Sequence, residues 1–120
     1  MAVNSSSSLQ TTLQSTLLAV EDLDNTGLNN AVGGPTKLLG MQLGNASGAQ
    51  VWIKIEDSKL YSNDTMICVP IQNAQNMTIS IDVGEVLDNG MVVYADTAGG
   101  SGKASNPGAN FDFWGFVTST

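Results

Sequence analysis

Side chains able to act as acid, base or nucleophile are sparse in this chain. Its 120 residues hold 11 Asp and Glu against 4 Lys, with no His and no Arg, a single Cys and a formal charge of −7. A serine or cysteine nucleophile needs a base beside it, and without histidine the common arrangements cannot form. Cys68 stands between Ile67 and Val69, which reads as an inert thiol in a core. The adjacent acids Glu21-Asp22 and Glu56-Asp57 fall in turn-like sequence, where carboxylates are solvated and lack the apolar burial that general acid work requires.

Two stretches imitate ligand loops. Asp22-Leu23-Asp24-Asn25-Thr26-Gly27 places carboxylates first and third and a glycine sixth, as a calcium loop does, but Gly33 stands twelfth where a bidentate Glu belongs. It reads as an Asx-rich turn. Gly99-Gly100-Ser101-Gly102-Lys103 resembles part of a phosphate loop, yet Thr97 occupies the opening glycine position and Ala104 follows the lysine. It reads as a flexible linker. Four Asn-x-Ser/Thr triplets, beginning at Asn4, Asn45, Asn63 and Asn76, are expected by chance in so Asn-, Ser- and Thr-rich a chain. The expectation is a protein with no catalytic residue, no metal ligand and no cofactor.

Aromatic side chains carry the stronger signal. Trp52 is out of phase with Val51, Ile53 and Ile55, so it caps the far face of a sheet, anchors a partner or stacks on a sugar. Phe111-Asp112-Phe113-Trp114-Gly115-Phe116-Val117 holds all three Phe and one of the two Trp. This strand closes the fold and carries most of the aromatic content.

The elements that position these residues read as strands. Thr36 to Leu43 and Val51 to Ile55 alternate with period two on either side of GNASGA, which reads as a hairpin with Trp52, Lys54 and Glu56 facing solvent, a partner or an edge. A short strand Met66 to Val69 stops at Pro70, which belongs at a strand end or sheet edge. Gln72 to Asn76 reads as a crossing between sheets. Met77, Ile79, Ile81 and Val83 mark the cleanest half-buried strand, and Asp88-Asn89-Gly90 reads as a hairpin turn into Met91 to Ala95. Asp96 to Asn110 is fifteen residues of loop composition. Many short strands with turns between them and no long helix predict one all-β domain, an antiparallel sandwich over residues 31–120. Residues 1–30 read as an N-terminal arm and loop, with Leu9, Leu13, Leu17 and Val20 on one side of an extended segment or short helix.

The acidic balance argues against nucleic acid, because a binder must neutralise phosphates with cations, and against anionic membrane surfaces. MAVNSSSS lacks the basic and apolar regions of a secretory signal, so synthesis in a cytoplasm is expected. Only 12% of residues are charged, a composition common where surface is shared with partner chains.

Thr36-Lys37-Leu38-Leu39-Gly40-Met41-Gln42-Leu43 followed by Asn45-Ala46-Ser47-Gly48-Ala49-Gln50-Val51-Trp52-Ile53-Lys54-Ile55 resembles small β-sandwich structural proteins of tailed bacteriophages, of the decoration or cement type. The strand ending at Pro70, the crossover and Gly-turn strands between Asn76 and Asp96, and the terminal strand Phe113 to Val117 extend the resemblance over roughly residues 36–120. It implies a jelly-roll-like sandwich, often a homotrimer, that sits on the outer surface of the virion head and clamps major capsid subunits. The partners so implied are the major capsid protein and further copies of this chain, with contacts at Leu9, Leu13, Leu17 and Val20 in the arm, Trp52 on the sheet and Tyr94 beside the long loop. A neck, tail or fibre-associated adaptor is one alternative. A carbohydrate-binding module, which would lose glycan binding in Trp52→Ala or Trp114→Ala, is another.

Overall fold

The computed structural model describes residues 16–25, 28–32, 35–108 and 110–118, and every regular element among them is a strand. In chain order these are β1 (Thr16–Val20), β2 (Leu28–Val32), β3 (Thr36–Asn45), β4 (Val51–Glu56), β5 (Ile67–Ile71), β6 (Asn76–Leu87), β7 (Met91–Asp96) and β8 (Phe111–Thr118). They form two four-stranded antiparallel sheets, ordered β1-β8-β3-β6 and β2-β7-β4-β5. Of the seven connections only β4 to β5 stays within a sheet, and every other one crosses between the sheets. That order is the eight-stranded double-sheet jelly roll.

Alternating apolar residues meet between the sheets. Val51, Ile53 and Ile55 of β4, with Met91, Val93 and Ala95 of β7, face Leu38, Met41 and Leu43 of β3 and Phe111, Phe113 and Val117 of β8. On β3 the alternation is reset by a bulge, since Leu38 pairs with Val117 and Gly40 already with Phe116. The extra residue, Leu39, leaves the register, so Leu38 points inward together with Met41 and Leu43.

Neither expected hairpin forms. β3 and β4 lie in opposite sheets, as do β6 and β7, so GNASGA and Asp88-Asn89-Gly90 are arches over the end of the sandwich. Side chains set each bend. Asn45 Nδ2 donates to the carbonyls of Ala49 and Ile71, both at 2.8 Å, while its Oδ1 accepts from the Ser47 N–H at 3.0 Å and hydroxyl at 2.7 Å. Asp57 accepts from the N–H groups of Asp88 and Asn89 at 3.1 and 2.8 Å. Gln72 to Gln75 does cross between the sheets, and β5, which contains Pro70, is an edge strand.

The span 1–30, expected to be an arm and loop, contains β1 and the start of β2. β1 pairs with β8 along its whole length and β2 pairs with β7, so both belong to the sandwich. Leu9 and Leu13 lie outside the described residues.

Candidate functional site

The two outer faces of the sandwich differ. On the β2-β7-β4-β5 sheet, the outward residues of β4 and β7 are Trp52, Lys54, Glu56, Val92, Tyr94 and Asp96, and the connections 57–66 and 97–110 fold over them. Lys54 and Glu56, expected at a surface, are fully buried. The Lys54 ammonium donates to Asp96 at 2.8 Å and to the Gly102 carbonyl at 2.6 Å. Asp96 also accepts backbone N–H groups from Thr97, Ala104 and Ser105 at 2.7 to 3.0 Å. Burial pushes its pKa up, but the Lys54 ammonium and those three N–H groups outweigh that and hold it below the ordinary carboxylate value.

Beside this pair, Glu56 accepts from Tyr94 Oη at 2.7 Å and from the backbone N–H and hydroxyl of Ser62. Thr65 Oγ1 bonds Tyr94 Oη at 2.9 Å and accepts from the Gly102 N–H at 2.8 Å. Burial raises the Tyr94 pKa well above the usual phenol range, and the neighbouring Glu56 carboxylate adds to that rise while the Thr65 bond opposes it. Tyr94 was expected to touch a partner beside a free loop; it is buried under that loop and is a structural strut. Trp52 is half-buried, with Gly99 so close that a Cβ there would stand 3.0 Å from the indole, so this tryptophan packs under its own chain. Cys68, expected in the core, is on the outer side of β5 with its thiol 3.9 Å from the Gly100 carbonyl, while Ile67 and Val69 pack toward the core. The first part of the 97–110 connection, residues 97–105, is therefore a roof tied down by side chains. Its backbone groups bond Lys54, Asp96 and Thr65, which stabilises the docked segment.

The outer face of the β1-β8-β3-β6 sheet has no such roof among the described residues. Cross-strand rows divide it in two. One half carries Leu17 of β1, Phe116 of β8, the displaced Leu39 of β3 and Val86 of β6, with Leu17 and Val86 54% and 44% exposed. Val20, also expected to face a partner, points inward and packs against the core. The remaining large exposed apolar residues described, Leu60 and Met66, lie on the 57–66 connection.

The other half is polar around one tryptophan. Trp114 of β8 lies beside Gln42 of β3, which pairs in turn with Thr78 of β6; one row along, Asp112, Gly44 and Asn76 stand side by side. An open groove of about 540 Å³ runs here, bounded by Trp114, Asn76, Asp112, Asp22 and Asn110, and a second hollow of about 350 Å³ adjoins it across Trp114 and Asn76. Gly44 makes the floor. A Cβ at that position would stand 3.1 Å from Asn76 Oδ1 and 4.0 Å from Trp114 Cζ3. The acid end is ordered by backbone bonds: Asp22 N–H donates to Asp112 Oδ1 at 3.1 Å, and Asn110 N–H donates to Asp22 Oδ1 at 2.8 Å.

Asp22 thus serves a crossing between loops. No group of three or more His, Cys, Asp or Glu is placed to hold a metal ion among the described residues. The sequence reading missed the division of labour between the two tryptophans. The signal was present in β8, where Asp112, Trp114 and Phe116 alternate with the inward Phe111, Phe113 and Val117. No protein-family model matches the chain, and no curated protein matches it in sequence.

Proposed function

We propose that this chain is a structural, non-enzymatic virion protein of a tailed bacteriophage, which binds the outer surface of the head and bridges neighbouring major capsid subunits. The observation that supports this most is the asymmetry of the sandwich. On one outer face the β4 and β7 side chains are covered by the protein's own loops, while the other presents Leu17, Phe116, Leu39 and Val86 with no covering layer among the described residues. Such a face gains free energy when a partner covers it, at roughly 25 cal/mol per Å² of apolar surface removed from water. Copies arranged as homotrimers on a repeating shell would multiply a modest affinity at each contact.

Counting copies of the chain per purified virion against the major capsid protein tests this reading. One copy per capsid subunit, or one trimer per local three-fold position, is the expected ratio for a cement protein. A handful per particle would move it to the neck, tail or fibres, and absence from virions would refute both positions. In the same assay, Leu17→Asp combined with Val86→Asp is expected to abolish head binding by a chain that remains folded.

A further inference from the structure

We propose that the Trp114 groove is a binding site for a neutral pyranose saccharide. The inference stands on the groove alone and does not depend on a place in a virion. A pyranose has one flat side of C–H groups and a rim of hydroxyls. It is held by an aromatic face, whose negative quadrupole attracts the C–H groups, together with planar amides or carboxylates that pair with neighbouring hydroxyls.

The groove supplies both parts. Trp114 is half-buried and stands on β8, and Asn76 stands two strands away on β6 and one row along, a backbone separation of roughly 12 Å from the usual strand spacing and rise. Between them Gly44 contributes no side chain, and Asn76 Oδ1 and the edge of the Trp114 ring converge over it. The volume of about 540 Å³ suits a small ligand. The adjoining hollow of about 350 Å³, lined by Gln42 and Thr78, also borders Trp114 and Asn76, which leaves room beside the first site for a second sugar unit. The preferred ligand is therefore a chain of at least two units.

Charge narrows the class further. Glu21, Asp22 and Asp112 gather at one end of the groove, no lysine lines it, and the molecule carries −7 overall. Uronates, sialic acids and phosphates are repelled there, whereas neutral hydroxyls can donate to those carboxylates. Trp52 cannot play this part, because Gly99 lies against its ring.

Isothermal titration of the purified chain with maltohexaose, cellohexaose, mannohexaose and xylohexaose, with oligogalacturonate as an acidic comparison, tests the assignment. Saturable binding of at least one neutral oligosaccharide is expected. Trp114→Ala, and separately Gly44→Val, which fills the floor, should each weaken it at least about tenfold, while Trp52→Ala leaves it unchanged. Thermal melts establish that each variant is folded, and Asn76→Ala replaces any that is not. No binding by any neutral oligosaccharide at millimolar concentration, equal binding of oligogalacturonate, or binding that survives Trp114→Ala would overturn the proposal.

Discussion

Asp96 concentrates the residue-scale energetics of the roofed face. It is fully buried, paired with Lys54 and bonded to three backbone N–H groups. Removing one member of a buried pair leaves the other uncompensated, so Asp96→Asn should cost about 3–5 kcal/mol at neutral pH. The direction of the pH dependence follows from its lowered pKa. As pH falls, the unfolded chain takes up the Asp96 proton first, near its ordinary value of about 3.9, while the folded protein still holds the carboxylate charged. The stabilisation is therefore complete above about pH 5 and is lost as pH falls through the folded pKa. Urea midpoints for the native chain and Asp96→Asn, measured from pH 7 down to 3, should converge on acidification; a constant gap would show that the pair contributes nothing in this window. Period-two reading put Lys54 and Glu56 on the correct side of β4, but as surface residues. Their burial depends on Ser62, Gly102 and Ala104, brought over them by loops that a local pattern cannot report.

At the scale of elements, the alternation in β4 and β6 told which side of each strand is apolar and left its hydrogen-bonded neighbour undetermined, while in β3 the bulge at Leu39 reversed the reading of Leu38 and Leu39. Strands on facing sheets show the same alternation as strands in a hairpin, so GNASGA and Asp88-Asn89-Gly90 looked like hairpin turns although both are arches. The 97–110 connection was misread for a related reason: Gly, Ser and Asn permit flexibility, and only the bonds made to distant residues remove it. Gly102 is the hinge of that docking. Its φ is +77°, its N–H reaches Thr65, its carbonyl accepts from Lys54, and an added Cβ would collide with the Asn63 side chain. Next to it, the Lys103 ammonium lies 4.2 Å from the Tyr61 ring centre, and the Lys103 backbone N–H donates to Tyr61 Oη at 3.0 Å. Trypsin must open this segment to cut after Lys103, so cleavage there should be slow in the native chain. Gly102→Ala should accelerate it at least about tenfold, equivalent to 1.4 kcal/mol of local opening, as read by mass spectrometry of timed digests. Unchanged cleavage would mean that the roof is not held by these bonds.

For the whole molecule, closure of the sandwich decides where its N-terminal segment ends functionally. The composition of residues 1–30 resembles an arm, yet the last part of that span is built into both sheets. Leu18 and Val20 of β1 pack against the core beside Gly115 and Phe113 of β8. A fully buried apolar side chain contributes about 1.5–3 kcal/mol and these partly buried ones a fraction of that, against only about 5–15 kcal/mol in total for a domain of this size. Losing β1 also frees one edge of β8, exposing a ladder rich in aromatics that can pair with another chain. Deleting residues 1–30 should therefore give a chain that aggregates or melts without cooperativity, whereas deleting residues 1–15 retains all eight strands and should melt as one transition. Circular dichroism melts of the two truncations, with light scattering to follow association, separate the cases. If the longer deletion folds as well as the shorter one, β1 is dispensable and adhesion through an arm spanning residues 1–30 regains its footing. If only the shorter one folds, head binding by that truncation places the contact on the bare face around Leu17 and Phe116, and loss of binding assigns it to residues 1–15.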